Sequence, residues 1–223
     1  PTNYLKTMPD GIGGRITSYL DLKDAQKVVD VFNMEEYVNK HPSLDWYQSR
    51  SSISELYKEI ESRGQYLTES ILEGNEDINP AVFSLIAEKC PYLETLYVYG
   101  ISCNGLSEVG DIQYNQDNQL VNGCPFLEEL NLRSSDIVSL DKLLVVTRNC
   151  PITRLVLNRV HILGVMLRFP LVLKILDSVP NLKSLALDDD MRGISSNVFK
   201  EIGQRCTGLE GLRIEKGLPR TTI

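Results

Sequence analysis

The chain has 223 residues, 42% hydrophobic and 24% charged, with a net charge of −7, which bounds it to one or two small domains of ordinary globular composition. The negative field repels phosphate backbones, and no basic run or aromatic–arginine patch offsets it, so the composition argues against a nucleic-acid partner. The most apolar stretch, Ile162 to Leu176, is broken by Arg168, Pro170 and Lys174, short of the ~20 apolar residues of a membrane span.

No secretory leader is expected from the first forty residues, read from a sequence that starts at Pro1, short of a true beginning. Pro9-Asp10 reads as a helix start, and Asp21 or Asp24 as the cap of a second helix. Ala25, Val28, Val29, Phe32, Met34 and Tyr37 follow near-helical spacing. Residues 1–47 therefore read as a small all-helical segment, able to cover the first core layer of whatever follows. Between 48 and 64, Ile53, Leu56, Tyr57 and Ile60 fall at i, i+3, i+4 and i+7, the spacing of an amphipathic linker helix.

Residues 65–223 repeat themselves. Cys90-Pro-Tyr-Leu-Glu-Thr-Leu-Tyr-Val98 returns as Cys124-Pro-Phe-Leu-Glu-Glu-Leu-Asn-Leu132 and Cys150-Pro-Ile-Thr-Arg-Leu-Val-Leu157. Val179-Pro-Asn-Leu-Lys-Ser-Leu-Ala-Leu187 and Cys206-Thr-Gly-Leu-Glu-Gly-Leu-Arg-Ile214 complete the set. The spacings between successive units are 34, 26, 29 and 27 residues. The excess in the first falls in Ser102 to Asp117, a polar, Gly- and Asn-bearing stretch that reads as an inserted loop. Leu67-Thr-Glu-Ser-Ile-Leu72 stands 26 residues before Leu93 and reads as a degenerate unit, with Ser70 at a leucine position. Self-similarity at this period, built on Leu-x-x-Leu-x-Leu, is the signature of a leucine-rich repeat. The expected fold is thus an α/β leucine-rich-repeat solenoid of five clear units and one degenerate, with parallel strands on the concave face and helices on the convex face.

Each unit ends in a short strand, whose alternate side chains face opposite ways. Leu96 and Val98, Leu130 and Leu132, Leu155 and Leu157, Leu185 and Leu187, Leu212 and Ile214 are expected inside. Among the residues between them, Tyr97, Tyr99, Glu129, Asn131, Arg133, Arg154, Asn158, Asp188 and Arg213 are the candidate target-binding residues. Tyrosine and arginine are enriched among interface anchors. Helix-length segments precede the strands at 80–89, 140–148 and 197–204, and a proline just past the Cys suits a helix stop.

Four of the five cysteines occupy the repeat position and Cys103 lies in the inserted stretch. Val179 fills the same position, so the site calls for a small apolar group, which a buried thiol supplies. No Cys-x-x-Cys pair occurs, and the thiols read as those of an intracellular protein. Asp188-Asp-Asp190 lacks an EF-hand spacing and reads as a solvated strand end. His41 and His161 stand beside no hydrolase motif, and Gly11-Ile-Gly-Gly14 is no phosphate loop. No catalytic residue, metal or cofactor is expected.

The amino-terminal segment resembles an F-box. That family's pattern runs Leu-Pro-x-Glu-Leu, then Ile-x-x-Tyr-Leu-Asp-x-x-Asp-Leu, a helix ending in a Val-Cys-like pair, and Pro-x-Leu-Trp. Met8, Pro9, Ile12, Ile16, Tyr19, Leu20, Asp21, Asp24, Val28, Val31, Pro42, Leu44 and Trp46 match it in order and spacing, over about residues 7–47. Gly11, Gly13 and Gly14 depart from it, standing where the family prefers Glu and leucines. An F-box ahead of Cys-Pro-type repeats is similar to the substrate receptors of Skp–cullin–F-box ubiquitin ligases. The resemblance implies a Skp-type adaptor bound through Met8, Pro9, Ile12, Ile16 and Leu20, and a protein substrate held by the repeats. The alternative is a free-standing repeat scaffold whose cap only looks like an F-box; an enzymatic reading finds no catalytic constellation. The nine residues after Ile214 hold no evident closing helix, which fits a small cap or a longer receptor.

Overall fold

The computed structural model describes residues 43–47, 51–74, 80–114, 116, 120–137, 139–188 and 196–215. Met8, Pro9, Ile12, Ile16 and Leu20 lie outside the described residues. In chain order the elements begin with β1 (Ser43–Tyr47), α1 (Ile53–Arg63), β2 (Glu69–Glu73), α2 (Ala81–Lys89) and β3 (Thr95–Tyr99). Then come α3 (Leu106–Gly110), β4 (Gln113–Tyr114), β5 (Leu120–Asn122), β6 (Glu129–Arg133), β7 (Asp136–Ile137) and α4 (Leu140–Asn149). The chain continues through β8 (Arg154–Asn158), β9 (His161–Ile162), β10 (Val165–Met166), α5 (Phe169–Leu176), β11 (Ser184–Asp188), α6 (Ser196–Arg205) and β12 (Gly211–Glu215).

The fold is α/β, organised on a seven-stranded parallel sheet in the order β1-β2-β3-β6-β8-β11-β12. Strand order follows chain order. Parallel neighbours need a crossover connection, and each crossover here contains one helix, the helices packing in succession from α1 on α2 to α5 on α6. The units stack without slippage: Leu96 pairs with Leu130, Leu130 with Leu155, Leu155 with Leu185, and Leu185 with Leu212.

Backbone bonds at the repeated Cys, which Pro follows after Cys90, Cys124 and Cys150 and Thr207 after Cys206, explain that regularity. The N–H of Cys90, Cys150 and Cys206 closes the preceding helix onto Ile86, Val146 and Ile202 (2.8, 2.9 and 2.9 Å). The Cys90, Cys124 and Cys206 carbonyls then accept the N–H of Leu93, Leu127 and Leu209 at 3.2, 3.2 and 3.1 Å. Proline lacks an N–H and tolerates the slot between these two bonds. The five free cysteines are buried. Burial pushes the thiols of Cys90, Cys103 and Cys150 up to about 12 and that of Cys124 well above its ordinary value. They stay protonated at neutral pH and act as small apolar wedges.

Inward strand residues and helix residues form one core. Leu72, Leu96, Val98, Leu130, Leu132, Leu155, Leu157, Leu185 and Leu187 lie in the same cluster as Leu56, Ile60, Phe83, Ile86, Val146, Val172, Ile175 and Ile202. Burying each such side chain stabilises by about 1.5–3 kcal/mol. Leu212 differs from its expected inward burial: it sits on the last strand of the sheet and is 37% exposed.

Two further expectations change. The segment expected to be helical through residue 47 ends in a strand, since Ser43–Tyr47 pairs parallel with β2 from Ser43↔Glu69 to Tyr47↔Glu73. Leu44 and Trp46 alternate with polar residues and bury against the core. The Trp46 indole donates to the Ser52 carbonyl (3.2 Å), and Arg63 donates to the Ser43 carbonyl (2.7 Å). The stretch 102–117, expected as a loop, contains α3, whose Leu106 and Val109 bury between α2 and α4. Gly110 makes this possible: a Cβ there would lie 2.5 Å from the Val146 Cα, so the two helix backbones touch.

Ser70, the leucine-position serine, is fully buried, and among the described residues its hydroxyl has no hydrogen-bond partner. A buried donor left unbonded is destabilising. Ser70→Ala is therefore expected to raise stability by about 1 kcal/mol, read as a higher urea midpoint at unchanged slope. A lower midpoint would mean that the hydroxyl is bonded.

Candidate outward sheet face

The outward positions of the sheet fall into rows across the strands, fixed by the pairing register. One row runs through Glu69, Thr95, Glu129 and Arg154; the next holds Asp45, Ile71, Tyr97, Asn131, Val156, Ala186 and Arg213. The third carries Tyr47, Glu73, Tyr99, Arg133 and Asn158, with Asp188 and Glu215 paired at its far end. All nine residues predicted for target binding stand on these rows. The sheet brings them together from segments far apart in sequence.

Two bonded groups organise them. Glu129 accepts from the Tyr97 hydroxyl (2.9 Å) with one carboxylate oxygen and from Arg154 Nε with the other. Burial, then the Glu129 hydrogen bond, pushes the Tyr97 phenol up to about 12, so it remains a donor. The second group centres on Glu215. Arg133 reaches it in bidentate fashion, at 2.7 and 3.2 Å, Asn158 donates at 2.8 Å, and Arg213 lies 3.7 Å away. Burial pushes the Glu215 carboxyl up, yet the bonds from Arg133 and Asn158 and the nearby guanidinium charges outweigh it, leaving the group below its ordinary value. Arg133 also donates to Asn131 Oδ1 at 3.0 Å.

The members differ in accessibility. Tyr99, Arg154 and Arg213 are exposed, and Tyr97, Glu129 and Arg133 are half-buried. Asn131, Asn158 and Asp188, expected on the open surface, are buried (7%, 8% and 2% exposed). Arg133 and Glu215 bond the two asparagines. Asp188 has a backbone cause. The N–H groups of Gly74, Gly100 and Ser134, each just past a strand, continue the ladder to carbonyls of the next strand. Arg159 N–H instead donates to the Asp188 carboxylate (3.1 Å), which draws that side chain in. The solvated strand end read from Asp188 to Asp190 is thus corrected at Asp188. Arg159 and Ser134 take left-handed φ values of 52° and 49°, matching Gly100 at 68°, so this turn recurs with the units.

Glu215 was legible only as an outward position; its role as hub depends on a register spanning four strands. No protein-family model matches the chain, and no curated protein matches it. Among the described residues, no group of three or more His, Cys, Asp or Glu could hold a metal ion, and no helix is long and apolar enough to cross a membrane.

Proposed function

We propose that the chain is the substrate-recognition subunit of a Skp–cullin–F-box ubiquitin ligase. In this reading it is a leucine-rich-repeat solenoid, with the strands concave and the helices convex. Its F-box-like segment docks a Skp-type adaptor, and the outward sheet face binds a protein target. The protein acts by binding, without a cofactor, inside the cell, a setting that the buried free thiols favour.

One observation carries the binding half of the reading. A parallel sheet in chain order, one strand per unit, lays tyrosines and arginines from distant segments on one continuous face. The adaptor half is supported by the sequence resemblance of residues 7–47. A second reading, an adaptor-independent scaffold, is favoured by Gly11, Gly13 and Gly14, since glycine weakens a helix by roughly 0.5–1 kcal/mol per residue relative to alanine.

Co-expression with a Skp-type adaptor separates the two. The receptor reading expects the chain and adaptor to elute from a sizing column as one complex, with a light-scattering mass equal to their sum. Separate elution at micromolar concentrations supports the scaffold instead.

A further inference from the structure

Where the units at Cys150 and Val179 meet, ahead of β8 and β11, the surface holds a cleft of about 370 Å³. That volume lies at the small end of ligand sites and suits a few side chains. Pro125, Pro151 and Pro180 line it, with the ends of α4 and α5 beside them. Its frame is bonded in place. The Thr147 and Ser178 hydroxyls share a hydrogen bond of 2.6 Å, and the Asn149 amide donates to the Gly110 carbonyl at 2.8 Å.

Two polar groups of this lining are left over. Arg148 is exposed, is the one charged residue of the cleft among the described residues, and its guanidinium bonds none of them. Asp177, the carboxylate next to Ser178, is held instead by Arg205 at 2.9 Å. The other group is the Thr147 carbonyl, whose helical donor would be Pro151, a residue without an N–H. The Ala87 carbonyl, orphaned in the same way by Pro91, accepts from the Gly123 N–H of the next unit at 2.9 Å. Ser178 stands in the place of Gly123, and its N–H goes to the Ile175 carbonyl (2.9 Å). The Thr147 carbonyl is thus without that donor.

We propose that this cleft binds an extended acidic segment of a partner protein. An apolar side chain of the segment packs on the prolines, a carboxylate pairs with Arg148, and a main-chain N–H turns toward the Thr147 carbonyl. Charge complementarity selects the occupant, since a chain of net charge −7 presents an unpaired cation here. A peptide supplies the acceptor and the donor together, which a bare anion does not. The cleft uses none of the outward rows, so the proposal stands whether the chain is a receptor or a scaffold.

The test uses the whole chain and a fluorescein-labelled Gly/Ser peptide carrying Leu-Asp pairs, beside the same peptide with Leu-Asn. Anisotropy titration is expected to show binding of the aspartate peptide about tenfold tighter than the asparagine one, weakening as ionic strength rises. Arg148→Gln should erase that preference while melting with the wild type, because the guanidinium holds no bond in the fold. Lys142→Gln, the same charge change elsewhere on α4, should leave binding unchanged. Equal affinity for the two peptides, or a preference that survives Arg148→Gln, overturns the proposal. So does displacement by N-acetylaspartate as effective as by unlabelled peptide, which makes the cleft a small-anion site. A doubled solution mass that Arg148→Gln abolishes assigns the cleft to a second copy and overturns it as well.

Discussion

Leu130→Asp is expected to unfold the central strands, whereas Glu129→Ala, one residue earlier, leaves them folded. Leu130 is fully buried on β6 and sits in register between Leu96 and Leu155. Replacing it removes about 1.5–3 kcal/mol of apolar burial. The new carboxylate would have no cation beside it, and burying an unpaired charge costs several kcal/mol more unless the group takes up a proton. Together these rival the ~5–15 kcal/mol that holds a typical domain. Units that each rest on their neighbours cannot confine such a loss, so β3 and β8 should loosen with β6. Glu129 faces outward, and its loss releases only the half-buried Tyr97 hydroxyl and the exposed Arg154. That costs about 1 kcal/mol or less. Thermal denaturation checks both variants. Comparable shifts in Tm would place Leu130 on the wrong side of the sheet.

Much of the fold was legible because its chemistry is local. Alternating leucines in Leu130–Leu132 or Leu155–Leu157 mark the buried side of a strand without reference to its neighbours. The Cys-Pro step marks where a helix must stop, so the ranges 80–89 and 140–148 lie within a residue of α2 and α4. The missed elements are those whose cause is remote. Leu44 and Trp46 also fit the end of a helical motif, and only pairing with β2 fixes them as a strand. The α3 turn has five residues and two polar flanks, too little apolar period to stand out. It forms because Leu106 and Val109 reach a core built by α2 and α4.

The same division runs through the candidate site. Alternation alone places Tyr97, Arg133 and Arg154 on the outward face. Alternation does not show that Arg133 reaches across to Glu215, a partner 82 residues away, or that the short side chains of Asn131 and Asn158 are bonded beneath that pair. Outward on a strand is therefore not the same as accessible. Tyr99, Arg154 and Arg213 remain open to a partner, while the buried members hold the face in shape.

In the receptor reading, the adaptor contact carries the other large effect. The resemblance puts Pro9 and Leu20 on or under the adaptor-facing surface, so Pro9→Ala with Leu20→Ala should abolish binding. In the same reading, Gly13 and Gly14 lower helix propensity and leave the adaptor without leucyl side chains to contact. Gly13→Leu with Gly14→Leu should restore both, tightening binding by about 1–3 kcal/mol when the glycine penalty and partial leucine burial are combined. Calorimetric titration of a Skp-type adaptor into the wild type and these two variants is the most direct measurement. The receptor account predicts measurable heat for wild type, none for the alanine pair, and a tighter isotherm for the leucine pair. No heat with either wild type or the leucine pair would contradict it and leave the amino-terminal segment as a cap.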